Sequence, residues 1–468
     1  MIEKALNKNY IISVIMPFFK EKDIQAYIVG GFIRDCFLNR KSSDIDIVTD
    51  KGMAENAAKM LSDAINGYFV ELDEINKIYR VVFADKTNYV DIADCTGMDI
   101  KEDLLRRDFT INALAYDINR ACLVDVVGGV DDIKAGVIRE ISEENILDDS
   151  IRILRAFRFK STLGFELSDK LKLIAANHAK ELLTTAKERI NIELVKLFGG
   201  KNVVEALELL NKFNILELIF PEVVEMRKVP KNSHHHLNLL EHSIETVRQV
   251  QIFYENACNE VKLHCDDIMF GGQSRMSYLK IAAFLHDVGK PSTWQIEPET
   301  GRHRFIMHDV EGAKIIAGTL KNLKFSKKQC AYIQKIIKNH IYPAGVVMSE
   351  DVGDKAYMRF YRKMENDVID LIAVAYADRM SALGPEITQA MIDKNINGLD
   401  KLLQMYLEQK NKMKPLPKLL NGNEIMQLLN IPASKKLGQI ISKLYEAQLS
   451  GEINTKEEAV WFVKSINL

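Results

Sequence analysis

The sequence predicts an α+β protein: an N-terminal head with a mixed or antiparallel sheet and helices, followed by an all-α remainder. Three observations carry this. Over residues 1 to about 140, short β-rich runs alternate with helical ones, as in Tyr27–Val29, Tyr68–Leu72, Tyr79–Ala84, Tyr89–Ala93 and Leu123–Val127. From about 141 onward strand patterning almost vanishes, while apolar residues recur at helical spacing. At 468 residues the chain is longer than one hydrophobic core sustains, so several domains are expected. One face of the head's sheet is expected to stay open.

The remaining elements follow in order. Lys4 and Lys8 precede the apolar run Tyr10–Phe19 and imitate a signal peptide. Glu3 and Pro17 interrupt that pattern, Lys20–Asp23 follows, and no small-residue cleavage site appears, so a buried helix leading into the first strand is the better reading. Helices are expected at Leu147–Phe159, Leu171–Leu183, Val203–Leu210, Leu239–Val250, Leu279–Leu285 and Ile333–Ile337, with loops at Gly271–Ser274 and Trp294–Gly301. Two prolines in Lys414–Pro417 mark a hinge before a small C-terminal helical unit.

Composition bounds the function classes. Apolar residues make up 47%, ordinary for a soluble protein, and no run approaches the ~18 apolar residues of a membrane span. A cytoplasmic protein without a membrane partner is expected. The formal net charge of −2 gives no global basic signal, so any nucleic-acid binding must come from a local patch. Cys36, Cys95, Cys122, Cys258, Cys265 and Cys330 show no paired spacing and fit free thiols in a reducing cytosol.

The densest chemistry lies in residues 27–48. Tyr27–Val29 ends on Gly30 and Gly31, a helix-compatible segment carries Arg34 and Asp35, and Asp44 and Asp46 then alternate with Ile45 and Ile47. Strand alternation puts both aspartates on one face and the isoleucines on the other. Adjacent carboxylates repel unless a divalent cation neutralises them, and Mg²⁺ prefers such hard oxygen ligands shared with phosphates. The glycines let backbone N–H groups approach a triphosphate.

A second group runs from Asp103 to Ala113 and contains Arg106, Arg107, Asp108 and Asn112. Guanidinium forks suit phosphate oxygens, and Asp or Asn suits ribose hydroxyls. Asp91 is either a third carboxylate beside the metals or an ordinary polar residue at a strand end. In the third group, Asp149, Arg152, Arg155 and Arg158 recur every three residues along one helix face, with Ile151, Ile153, Leu154, Phe157 and Phe159 as its packed surface. An aspartate accepts from the exocyclic amine of C or A and an arginine donates to base acceptors, so such a face can read a base without a template.

Gly30-Gly31-x-x-Arg34-Asp35, Asp44-x-Asp46, the Arg106–Asn112 box and Asp148-Asp149-x-x-Arg152 together resemble the class II tRNA nucleotidyltransferase and bacterial poly(A) polymerase family. The resemblance covers nearly the whole chain; the family's usual Glu stands as Asp148 here. It implies two-metal nucleotidyl transfer to an RNA 3′-hydroxyl, with Asp44 and Asp46 as catalytic Mg²⁺ ligands. Gly30, Gly31, Arg34, Arg107, Asp108 and Asn112 would hold triphosphate and ribose, and Asp149, Arg152, Arg155 and Arg158 would select the base. Ala186–Leu194, with Arg189 and Glu193, resembles the family's neck helix and carries no chemistry in this reading.

Residues 235–380 hold a separate set: His242, His286-Asp287, His308, His340 and Asp378. Imidazoles and carboxylates suit a metal with positions left for water and phosphate. The order resembles the HD-domain phosphohydrolases, which implies His242, His286, Asp287 and Asp378 as ligands of a divalent transition metal (Ni, Mn, Co, Fe or Zn). His308 and His340 match positions that take a second metal or phosphate in some members. His234–His236 is a polar loop or part of that site.

The tail from Pro417, with Gly422, Gly438 and Gly451, is similar to that of HD-bearing nucleotidyltransferases. Lys410, Lys412, Lys414 and Lys418, and Lys321, Lys324, Lys327 and Lys328, are candidate RNA phosphate contacts. The expected division is a head at 1–140, a base-selecting and RNA-binding neck at 141–235, an HD domain at 236–380 and a helical tail contacting tRNA at 381–468. The expected activity is template-independent addition of CCA from CTP and ATP to tRNA, with no obligatory protein partner. CC-only addition, A-only addition and poly(A) synthesis stay open, the choice resting partly on a flexible segment near Gly67–Tyr89. From other classes, an HD phosphohydrolase with the head as nucleotide sensor stays open. So does a non-catalytic RNA binder, which has no use for paired metal carboxylates.

Overall fold

The structure is a computed structural model describing residues 6, 9–42, 44–348, 354–410 and 416–466. The chain divides into two units, Met1–Ile219 and Phe220–Leu468.

In the first unit, the apolar run near the N-terminus is helix α1 (Tyr10–Glu21), capped by the Asn9 side chain and continuing through Pro17 with Ile11, Ile12, Ile15, Phe18 and Phe19 buried. It leads into β1 (Ala26–Val29), α2 (Gly31–Phe37) and β2 (Asp46–Thr49). Then come α3 (Ala54–Ala64), β3 (Tyr68–Asp73), β4 (Ile78–Val82), β5 (Tyr89–Asp94) and α4 (Ile100–Leu105). β6 (Leu114–Asp117) and β7 (Cys122–Asp125) complete a seven-stranded sheet in the order β3-β4-β5-β2-β1-β6-β7. Only β2–β5 is parallel, so the sheet is mixed. The Gly67–Tyr89 segment, expected to be flexible, is the β3–β4 hairpin, in register with β5.

Helix α3 lies on the strands through Ala54, Ala57, Ala58 and Leu61, whose small side chains allow close approach. Ile45 and Ile47 are buried while Asp44 and Asp46 are not, as strand alternation requires. That second face is covered in part: Val29 and Val48 pack with Ile100 and Leu104 of α4, whereas Tyr68 and Val70 of β3, on the same face, are exposed.

After α5 (Gly129–Ala135), a short parallel pair of β8 (Val137–Ile138) and β9 (Glu166–Leu167) brackets α6 (Glu143–Asp148) and α7 (Ile151–Leu163). The helix expected over Leu147–Phe159 is therefore broken, with Asp149 in extended backbone (φ −145°, ψ 95°). Ser142 caps α6 and starts it earlier than the apolar pattern indicates. α8 (Asp169–His178), α9 (Lys187–Phe198) and α10 (Val203–Lys212) follow, and α9 packs along α7.

The second unit is built around α13 (Arg275–Leu285), every residue of which is buried. Around it stand α11 (Leu239–Asn256), α15 (Lys327–Asn339) and α16 (Val368–Ser381), with α12 (Asn259–Asp266) and α14 (His308–Asn322) beside them. An antiparallel hairpin of β10 (Trp294–Ile296) and β11 (His303–Phe305) occupies the expected polar loop. α17 (Gln389–Gln409) precedes a tail of α18 (Gly422–Leu429), α19 (Lys435–Leu449) and α20 (Lys456–Ser465). These three share a core that includes Leu420, Ile425, Ile440, Leu444 and Val463. Lys412, Lys414 and the start of the expected hinge lie outside the described residues. Lys410, one of the candidate phosphate contacts, is paired with Glu260. All six cysteines are free. Among the described residues, no helix is long and apolar enough to cross a membrane.

Candidate active site and metal centre

In the first unit, β1, α2, β2 and α7 surround a polar cavity of about 450 Å³. At its edge Gly30 holds φ +74°, a conformation L side chains rarely adopt, and a Cβ there would stand 3.0 Å from Arg107 Nη1. Arg34 folds back over Gly31, donating from Nη1 to Asn112 Oδ1 (2.6 Å) and from Nε and Nη2 to Asp35 Oδ1 (3.0 and 2.9 Å). Arg107 is gripped by Asp103 Oδ2 at 2.9 Å and also donates to the Asn112 carbonyl. Burial alone would raise the Asp108 carboxyl, but Arg155 and the amide of Asn112 outweigh it and hold it below the usual range.

Asp44 precedes β2 and accepts the Tyr89 hydroxyl at 2.6 Å; that bond pushes the Tyr89 phenol up to about 12. Asp46 opens to the cavity, yet protein packed on its other sides desolvates it, and Asp91 and Asp44 repel its charge. Its carboxyl is pushed up to about 6 despite Arg107 and Arg80. Asp91 is the in-register neighbour of Asp46 on β5, and Arg80 binds it bidentately at 2.7 and 2.8 Å. Two hard, under-neutralised carboxylates at a cavity mouth fit a divalent cation.

The same cavity is lined by Asp149, Arg152, Arg155 and Arg158. Arg152 donates to the Asn145 carbonyl (2.6 Å) and more weakly to that of Arg106. Arg155 donates to Asp108, and Arg158 to Glu193 at 2.9 Å while its guanidinium lies 3.5 Å from the Phe159 ring centroid. Asp149 is off the helix face and accepts both oxygens' bonds from Arg189 at 2.9 and 2.7 Å. The cavity thus brings together Gly30, Gly31, Arg34, Asp44, Asp46, Arg107, Asp108 and Asn112 with these four, while Arg106 and Asp91 are not among its lining residues.

In the second unit the His-Asp set converges. His242 Nε2 lies 3.1 Å from Asp378 Oδ1 and 3.4 Å from Asp287 Oδ2; His286 Nε2 lies 3.1 Å from Asp287 Oδ2. The other Asp287 oxygen faces His308 Nε2 (3.2 Å) and His340 Nε2 (3.7 Å). Each ring is fixed from behind: Nδ1 of His286, His308 and His340 meets the carbonyls of Ala283, Phe305 and Ile337 at 2.6–2.8 Å. Backbone-anchored imidazoles with Nε2 turned inward are the arrangement metal ligation needs. Asp287 is buried with Lys290 Nζ 2.6 Å from one of its oxygens, and neither oxygen accepts a well-aligned hydrogen bond. The residues fit one cation held by His242, His286, Asp287 and Asp378, and a second held by Asp287, His308 and His340. Burial would lower His286, yet Asp287 and Asp378 hold it up at about 10; burial and the charge of His286 push His340 down to about 3. His235 joins this site, its ring set edge-on to His242 at 4.9 Å.

Three family models match the chain: the poly A polymerase head domain at residues 26–139, the probable RNA and SrmB-binding site of polymerase A at 164–226, and the HD domain at 239–383. A CC-adding tRNA nucleotidyltransferase from Thermus thermophilus is 30% identical over 96% of this chain and 94% of its own. An A-adding tRNA nucleotidyltransferase from Deinococcus radiodurans is 31% identical over 94% and 95%. The chain belongs to the tRNA nucleotidyltransferase family. Its fold is that of a Thermotoga maritima CCA-adding enzyme complexed with tRNA, with TM-score 0.58, 22% identity and coverage of 99% and 98%.

For this tRNA nucleotidyltransferase-family chain, sequence reading assigned no chemistry to Arg80, Tyr89, Arg189 and Glu193, which bond Asp91, Asp44, Asp149 and Arg158; of these only Arg189 lines the cavity itself. Arg80 and Tyr89 sit on strands whose apolar alternation dominates the pattern. Arg189 and Glu193, opposite charges four apart, look like an ordinary intrahelical pair, whereas both reach across to residues 149–158.

Proposed function

We propose that the chain adds nucleotides from CTP and ATP to the 3′ end of tRNA without a template, building CCA. The observation that carries this is that Asp44 and Asp46 line the same cavity as Asp149, Arg152, Arg155 and Arg158. Mg²⁺ held by Asp44 and Asp46 would acidify the RNA 3′-hydroxyl and neutralise charge on the triphosphate. Gly30 and Gly31 leave room for phosphates, and Arg34 and Arg107 supply guanidinium charge braced by Asp35, Asn112 and Asp103. Asp108 and Asn112 orient the ribose. Asp149, Arg152, Arg155 and Arg158 read the base edge. Residues 1–140 do the chemistry, 141–235 select the base, and 381–468 contact tRNA, with Lys321, Lys324, Lys327, Lys328 and Lys418 as phosphate contacts.

The test offers labelled CTP or ATP with Mg²⁺ to tRNAs ending at the discriminator base, at C and at CC. Cytidine on the first two, one adenosine on the third and then arrest is the expected result. A narrower specificity is favoured by one finding: four relatives that match over nearly full length are named CC-adding or A-adding tRNA nucleotidyltransferases. Cytidine only, or adenosine only on the CC end, would establish that reading. An adenosine ladder would make it a poly(A) polymerase.

The inward-facing Nε2 set at residues 242–340 favours a second, phosphohydrolase activity at residues 236–380 with a divalent transition metal. Release of phosphate from a small phosphoester, lost in His286→Ala, tests it.

A further inference from the structure

Three of the four residues that face the cavity from residues 149–158 are held by one helix, and that helix was assigned no chemistry. On α9, Arg189 and Glu193 lie one turn apart with complementary targets. Arg189 takes both oxygens of Asp149, and Glu193 takes Arg158 at 2.9 Å and Arg155 at 3.6 Å. The start of α9 is tied to the same junction by Ser150 and Thr185, whose hydroxyls lie 2.6 Å apart. Asp149 needs this hold, because it sits in extended backbone between two helices and has no helical neighbour to fix its rotamer. Arg189 is itself 53% exposed on its side chain, so its pairing is not forced by burial.

We propose that Arg189 is a positioning residue that sets nucleotide specificity through Asp149. With each oxygen accepting one guanidinium N–H, the Asp149 carboxylate has no hydrogen to donate and one further lone pair on each oxygen to offer. Held so, it pairs with a base whose exocyclic amine stands at pyrimidine C4 or purine C6, as in C and A. It leaves U or G, which carry a carbonyl at that position, facing an acceptor with no partner, which is a repulsive element against the wrong nucleotides. A lysine cannot reproduce the hold, since a point ammonium does not engage two oxygens in one plane. This inference rests on the base-reading role proposed above for Asp149.

The experiment measures kcat/KM for CTP, ATP, UTP and GTP with full-length wild type, Arg189→Ala, Arg189→Lys and Asp149→Ala, alongside KM for tRNA. The expected result is that Arg189→Ala and Arg189→Lys both raise the UTP or GTP share relative to the preferred nucleotide by about 10- to 100-fold. KM for tRNA stays unchanged, and the Arg189 change adds little on top of Asp149→Ala. If Arg189→Ala slows all four nucleotides equally while Asp149→Ala alters their ratios, the positioning role is overturned and the base-reading role survives. If neither substitution alters the ratios, the base-reading role itself fails and the inference with it. Full recovery of selectivity in Arg189→Lys also overturns it, because the fork geometry would then be irrelevant.

Discussion

Asp46 and Asp91 stand side by side across the parallel β2–β5 pair, and Arg80 hydrogen-bonds Asp91 bidentately. Asp46 is left with a raised carboxyl, near 6, set by desolvation and by the neighbouring carboxylates. A folded-state value above the unfolded one, ~3.9, favours the acid form. Stability from this group is therefore present below that unfolded value and is lost as pH rises through about 6.

Asp46→Asn removes that conflict. The metal-free variant should melt higher than wild type at pH 7.5, the difference vanishing near pH 4. Nucleotide incorporation should fall by ~10³-fold or more, since metal neutralisation is worth several kcal/mol in such transfers. Scanning calorimetry at the two pH values, with and without Mg²⁺, checks both. A variant that melts lower at pH 7.5 contradicts the account of Asp46.

Gly30→Ala places a Cβ against Arg107 at φ +74°. The expected cost is ~1–3 kcal/mol of unfolding free energy, read from denaturant titration. Incorporation should drop with a raised KM for the nucleotide, because Arg107 must shift.

Glu193 is buried and faces two arginines. Glu193→Ala leaves Arg158 short of a counter-charge, Arg155 keeping Asp108, and should destabilise by ~3–5 kcal/mol, whereas Glu193→Gln, which keeps an acceptor, should cost less. Equal stability in all three proteins would show that this cluster contributes nothing net.

In the second unit, His286 carries a proton held by Asp287 and Asp378, with a pKa near 10 in the metal-free protein. Ligation requires neutral imidazole, so binding of Mn²⁺ or Ni²⁺ at pH 7 should release about one proton from this group. Affinity should rise with pH toward 10. Calorimetric titration in buffers of different ionisation enthalpy measures the release, and His286→Ala should abolish it. Uptake without proton release would place the metal elsewhere.

Much of this architecture was legible in the sequence. Asp44 and Asp46 announce themselves because isoleucines alternate with them, and the His-Asp set does so because its order is unusual. What escaped did so for physical reasons. β6 is buried at all four positions, so it has no alternation to detect. Every residue of α13 is buried, which erases the amphipathic signal that marks its true start. The break at Asp149 is set by tertiary pairing with Arg189, forty residues away, which local periodicity does not encode. The hairpin at β10–β11 is only three residues per strand, too short to show a pattern.

The reciprocal charges on α9 have an evolutionary consequence. Because Arg189 and Glu193 oppose Asp149, Arg155 and Arg158, a change of sign at any reader strands its partner, and a change on α9 strands a reader. Single substitutions at these five positions are therefore uphill, and beneficial pairs lie on neighbouring helices instead of along one sequence stretch. On the base-reading role proposed above, nucleotide preference would be inherited as a two-part cassette, and exchanging it between relatives would require moving residues 149–163 and α9 together.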